Sequence, residues 1–194
     1  PASARSGRQR PRRVGIGTST GGPAALVQVL GSLPANFDIP LLVVIHINEP
    51  FGEAFASWLD GRVPLRVRYP EDGERAAGGT VLLAPPDRHL VVERDRVRLS
   101  RAPERHSCRP SVDVLFESMA TELGPAAAAC LLTGMGRDGA SGLLRVRQAG
   151  GFTLAQDEAT SVVYGMPREA ARLQAAQSVL PLAEIGPTVA RLAD

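Results

Sequence analysis

The 194 residues, 44% hydrophobic and 22% charged, are the length and composition of one globular domain with a full core. No apolar run approaches the roughly 20 residues that span a bilayer, and the opening PASARSGRQRPRR has no apolar signal-peptide segment. The expectation is a cytoplasmic protein without membrane insertion. The formal charge of +2 hides an asymmetry, because residues 1–13 carry five of the 22 arginines and no acid. Seventeen arginines against 20 acids leave −3 on residues 14–194. Such a tail suits either an anion-binding arm or an interdomain linker too polar to pack. The acidic body favours the linker and gives no sign of nucleic-acid binding. Residues 1–13 are therefore read as a basic linker or tail, and 14–194 as the folded domain. The two cysteines, Cys108 and Cys130, form no metal-ligand spacing.

Val14–Gly17 reads as a short strand and Pro23–Leu30 as a helix, with proline suited to its first turn. Leu41–Ile45 (LLVVI) is a continuous apolar run, as in a strand buried on both faces. Phe51–Leu59 is a predicted helix, Leu65–Arg68 a strand, and Thr80–Ala84 a strand stopped by two prolines. His89–Ser100 alternates on both sides of Arg94-Asp95 and predicts a β-hairpin. Ser111 is placed to cap a helix whose Val112, Leu115, Phe116 and Met119 share one face. Then come a strand at Ala127–Leu132, a helix at Ala140–Gln148 and a strand at Phe152–Ala155. Last are a helix at Pro167–Ala175, a strand at Ser178–Leu180 and a helix at Ile185–Leu192. This alternation predicts an α/β fold, a parallel sheet with helices on both faces and one added hairpin.

In such sheets chemistry gathers at the carboxyl ends of the strands. The first strand ends in GTSTGG with Ser19, LLVVI ends at His46, and Ala127–Leu132 leads into GMGRDG with Asp138. A phosphate loop would need a lysine and GxxxxGK[ST], which the chain lacks. A dinucleotide fingerprint would need a third glycine where Thr20 stands and an acid where His46 stands. Gly17-Thr18-Ser19-Thr20-Gly21 between a strand and a helix fits a nucleophile elbow, with the helix N-terminus available to an oxyanion. A serine needs a base and the base an orienting carboxylate, which His46 and Asp138 supply. The α/β-hydrolase order, histidine last, is excluded because residues 107–194 contain no histidine. His89 and His106 are read as structural or peripheral, and Cys130 as a small core residue. Met135 is either core filler or a donor of its backbone N–H to the site.

GTSTGGPAAL, RPSVDVLFESMA, LLTGMGRDGASGLL and AQDEATSVVYGMPREAA together resemble the catalytic domain of the CheB family of chemotaxis protein-glutamate methylesterases. EDGERAAGGTVLLAPPDRHLVVE fits more loosely, and the resemblance spans residues 14–194. It implies a three-layer α/β/α sandwich around a mostly parallel, doubly wound sheet with an added hairpin. The implied activity is hydrolysis of glutamyl γ-methyl esters on the cytoplasmic helices of methyl-accepting chemotaxis receptors, releasing methanol, and deamidation of receptor glutamines. The implied triad is Ser19, His46 and Asp138, with oxyanion donors among Thr20, Gly21 and Met135 and no metal or organic cofactor. An N-terminal receiver domain is the implied upstream partner in many members. This chain departs from the family's QHMPxGF around the histidine, reading IHINEPFGEAF, and from HRPS before the central helix, reading Cys108-Arg109-Pro110-Ser111. Two competing readings are a catalytically silent receptor-docking module and a nucleotide-binding domain.

Overall fold

The computed structural model describes residues 9–47 and 51–194. Residues 1–8 of the arginine-rich tail and 48–50 of the departure after His46 lie outside them. The chain enters the middle of the sheet with β1 (Arg13–Thr18), every residue of which is buried. Helix α1 (Gly22–Gly31) leads to β2 (Leu41–Ile45), and α2 (Gly52–Asp60) to β3 (Arg66–Arg68) and β4 (Thr80–Leu83). The hairpin β5 (His89–Glu93) and β6 (Arg96–Ser100) precedes α3 (Val112–Leu123), and the chain returns to the sheet as β7 (Ala127–Leu131). It continues through α4 (Ala140–Gln148), β8 (Phe152–Gln156), α5 (Met166–Arg172), β9 (Ser178–Leu180) and α6 (Leu182–Ala190).

Among the described residues seven strands form one sheet in the order β3-β4-β2-β1-β7-β8-β9, and each neighbouring pair is parallel. Strand order reverses between β1 and β7, so their carboxyl ends flank the crevice where such sheets place ligands. The register sets Thr18 beside Ile45 and Gly17 beside Leu131. Ser19, His46 and the loop bearing Asp138 therefore leave the sheet at one edge.

Period-2 alternation of side chains divides the interior into two cores. Val14, Ile16, Leu41, Val43 and Ile45 pack with α1, α2 and α6 on one face. Leu42, Val44, Ala129 and Leu131 pack with α3, α4, α5 and the hairpin on the other. On that second face β1 presents Arg13 at its start and then glycine at 15 and 17. A Cβ on Gly17 would lie 2.2 Å from Val112 Cγ1, and one on Gly15 2.7 Å from Met119 Sδ. The glycines of VGIG thus let α3 lie directly on the central strand.

The hairpin turns at Arg94 and Asp95, both at positive φ, in the two-residue connection expected from their position. Two helix limits differ from the sequence expectation by three residues, the others by less. Helix α5 stops at Arg172 rather than Ala175, because Gln174 adopts φ 53° and a Schellman pair closes the end: Ala175 N–H on Ala170 O and Gln174 N–H on Ala171 O. Helix α6 starts at Leu182, directly after Pro181, and accommodates Pro187. The first strand starts at Arg13, whose guanidinium is buried and donates to the Asp95 carbonyl (2.8 Å) and carboxylate (3.1 Å). Arg12 reaches the same carboxylate and Arg10 pairs with Asp38, tying 10–13 to the body. No helix of the described residues is long and apolar enough to cross a membrane.

Gly17→Ala should overpack the β1–α3 contact and destabilise the domain by about 1–3 kcal/mol. Urea unfolding should show a lower midpoint at an unchanged m-value.

Candidate active site

The serine loop is built by backbone hydrogen bonds. Thr133, just past β7, accepts at its carbonyl from Ser19 N–H (3.0 Å) and Thr18 Oγ1 (2.7 Å). Its own hydroxyl has one hydrogen to give, with Thr20 O (3.0 Å) the nearer acceptor and Val163 O (3.3 Å) the farther, and it accepts from Val163 N–H (3.0 Å). Thr133 N–H is taken by the buried Gln156 Oε1, whose amide donates to Thr160 O. One threonine therefore fastens Ser19 to the segment after β8. Gly21 turns the chain into α1 at φ 81°, where a Cβ would sit 2.7 Å from Val162 Cβ. Only glycine supplies that turn at so close an approach. Ser19 is half-buried and Thr20 exposed.

His46 follows β2 directly, and its N–H donates to Thr18 O, the residue before Ser19. Its Nε2 lies 2.8 Å from Asp138 Oδ2. Asp138 is 2% exposed, yet its two oxygens are filled by four donors. Oδ2 also accepts from Val112 N–H (2.7 Å), and Oδ1 from Ser111 Oγ (2.7 Å) and Asp113 N–H (3.0 Å). Val112 and Asp113 are the first residues of α3, whose N–H groups have no partner within the helix. A carboxylate held at that positive end is stabilised as the anion. Burial alone would raise the Asp138 pKa; the bonds from His46, Asp113, Ser111 and Val112 outweigh it and hold the carboxyl below its ordinary value.

An ionised Asp138 accepts only, so Nε2 carries the proton and Nδ1 is the free nitrogen of a neutral His46. Burial would lower the His46 pKa; the Asp138 hydrogen bond, with smaller contributions from Cys108 and the Asp138 charge, reverses this and raises it to about 9. Nδ1 has Cys108 Sγ 3.9 Å away. Among the described residues, Ser19 Oγ is not hydrogen-bonded to His46. In unliganded serine and cysteine hydrolases such contacts are often loose. The Thr20 and Met135 N–H groups donate to no described residue, and the Met135 side chain is 70% exposed rather than core filler.

His46 and Asp138 line an open cleft with Cys108, Met135, Arg137 and Arg168. A larger groove between the hairpin and α3, lined by residues such as Val91 and Glu117, contains no nucleophile–base pair and lies away from the strand ends. His46, Cys108 and Asp138 have ligand atoms within 4.8 Å of one another, but both Asp138 oxygens are already occupied by hydrogen bonds. His89 is fully buried and structural: Nδ1 accepts from Ser111 N–H and Nε2 lies 3.1 Å from Pro103 O. His106 is exposed at the cleft and pairs with the buried Asp113 at 2.9 Å. Asp113 in turn accepts Gly142 N–H in the first turn of α4.

Residues 14–189 match the CheB methylesterase family. The chain belongs to this family. It is 48% identical over 181 residues to protein-glutamate methylesterase/protein-glutamine glutaminase 1 of Burkholderia lata, covering 93% of this chain and 54% of that protein. It is 50% identical over 176 residues to protein-glutamate methylesterase/protein-glutamine glutaminase 2 of Pseudomonas aeruginosa, covering 89% and 50%. The crystal structure of the Thermotoga maritima CheB methylesterase catalytic domain superposes with a TM-score of 0.89 at 36% identity, covering 94% of this chain and 98% of that one. The chain spans about half the length of these curated relatives.

Against the CheB pattern, the departures beside His46 divide. Ile45 is 4% exposed and packs in the α1-side core, beneath the serine loop. Ile47 is half-buried and lines a small apolar cavity with Phe55, Tyr69, Leu83, Pro86 and Pro110. Cys108 places its Sγ 3.9 Å from a ring nitrogen of His46. Thr133, Gln156 and Asp113 were invisible as site residues in the sequence; the signal available was that polar residues follow or end apolar strands, which Thr133 and Gln156 do.

The raised His46 pKa has a sign for stability. The protonated form is favoured in the fold, so this contribution is fully present below the unfolded value near 6.5 and is lost as pH rises through about 9. Unfolding free energy should therefore fall across that window, and His46→Gln, followed by denaturant titration at each pH, should lack that fall. Ser111→Ala, which removes both a donor to Asp138 and the acceptor of Val114 N–H, should cost about 0.5–2 kcal/mol in the same assay.

Proposed function

We propose that this chain hydrolyses glutamate γ-methyl esters on the cytoplasmic helices of chemoreceptors, releasing methanol, and deamidates receptor glutamines in the same cleft. The observation that carries the reading is the 2.8 Å His46–Asp138 bond anchored on α3 at the strand end next to Ser19. Family membership and the names of the relatives support the substrate class. The setting is adaptation in a bacterial two-component chemotaxis pathway in the cytoplasm. The arginine-rich residues before β1 are the end of a linker, and an upstream receiver domain accounts for the additional length of the relatives.

With Nε2–H held by Asp138, the free Nδ1 takes the Ser19 proton as Oγ attacks the ester carbonyl. Asp138 fixes the tautomer and stabilises the imidazolium. The oxyanion is received by backbone N–H groups of Thr20, Gly21 or Met135, near the N-terminus of α1. His46 returns its proton to the departing methoxide, giving methanol and a glutamyl-Ser19 ester. Water, deprotonated by Nδ1, then cleaves that ester. Glutamine follows the same course with ammonia leaving.

Methanol release from methylated chemoreceptor membranes tests the reading. The wild type should release methanol and Ser19→Ala should lose at least about three orders of magnitude; no release from the wild type on several receptors would overturn it in favour of a silent docking module. Because only neutral His46 accepts a proton, kcat/KM should rise with pH through an inflection near 9. Asp138→Asn removes the bond that raises His46, so the inflection should move to lower pH while the rate falls by roughly 10⁴.

A further inference from the structure

Cys108 stands where it competes for the site's base. Its Sγ lies 3.9 Å from His46 Nδ1 and 3.4 Å from the His106 carbonyl oxygen. It is half-buried and lines the open cleft, within reach of small solutes. The opposite nitrogen of His46 is held by the buried Asp138. Cysteine, histidine and aspartate are thus joined in sequence, the arrangement that activates a thiol nucleophile. Arg137 and Arg168 line the same cleft, as does Glu169, whose carboxylate is paired with Arg172. Cys130, by contrast, is 1% exposed in the α1-side core, where burial pushes its thiol up. The chain carries one thiol equipped to react and one that is sealed.

We propose that Cys108 is a modification site for hydroperoxides and small soft electrophiles, activated by His46 and silencing the esterase when modified. The chemistry with hydrogen peroxide balances within the cleft. His46 Nδ1 takes the thiol proton as Sγ attacks one peroxide oxygen. The S–O bond forms and the O–O bond breaks. The electron pair leaves with hydroxide, which recovers the proton from His46 as water. Sulfur is oxidised to the sulfenic acid and the peroxide is reduced. The new S–O–H projects into the 3.9 Å gap and donates to Nδ1, the atom that Ser19 needs. A small thiol displaces water to give a mixed disulfide, and a second thiol releases Cys108. The loss of activity rests on the function proposed for His46; the reactivity of the sulfur does not.

The test separates the two. The intact chain is treated with limiting iodoacetamide at pH 8 and its cysteine peptides are weighed. Cys108 should alkylate at least about tenfold faster than in His46→Gln, with Cys130 unmodified. Hydrogen peroxide should add one oxygen to Cys108 and abolish methanol release, and dithiothreitol should restore it. Cys108→Ala should keep its activity under the same peroxide. Equal alkylation of Cys108 with and without His46, or equal peroxide inactivation of the wild type and Cys108→Ala, would overturn the proposal. Should the alanine variant fail to fold, the alkylation comparison alone decides. Fast alkylation in a wild type that releases no methanol would remove the esterase reading and leave the reactive thiol standing.

Discussion

The Asp138 carboxylate is the point at which fold and chemistry meet. Four donors converge on its two oxygens: the imidazole of His46, the hydroxyl of Ser111, and the first two N–H groups of α3. A buried carboxylate without partners would take up a proton. Here the unpartnered end of a helix supplies the stabilisation, so the group stays ionised in the interior. The same bonds cap α3, the helix laid across glycines of the central strand. A change to Asp138 therefore reaches the helix terminus as well as the imidazole.

A second polar hub works on the serine side. Thr133 uses its carbonyl, hydroxyl and N–H to connect the Ser19 loop, the residues after β8 and the Gln156 amide. These bonds lie between strand ends that the parallel sheet already holds about 5 Å apart. The sheet brings the groups near, and Thr133 and Asp138 set their directions. The pattern extends outward as well, for Asp113 at the start of α3 accepts from the first turn of α4 and holds His106 on the cleft rim.

Cys108 Sγ lies 3.9 Å from His46 Nδ1, the ring nitrogen opposite the one that Asp138 holds. The replacement of residues around the CheB histidine is thereby not uniform in consequence. Ile45 is absorbed by the core, Ile47 by an apolar cavity, and Cys108 enters the reactive space.

The amino-acid order by itself determined the alternation of strands and helices, the hairpin turn at Arg94-Asp95, the Ser111 cap and the three strand ends from which Ser19, His46 and Asp138 emerge. Those features are encoded locally, by side-chain period, turn residues and caps acting over a few positions. It also marked the glycines of the serine loop, though not what presses against them. Tertiary structure alone decided that Asp138 addresses Nε2 rather than Nδ1, that Ser111 serves the carboxylate as well as its helix, and that Cys108 reaches His46 from 62 residues away. It also decided where α5 ends, since Gln174 takes a left-handed conformation usually reserved for glycine. Hydrogen-bond direction depends on how separate segments pack, and periodicity along one segment carries no record of its neighbours.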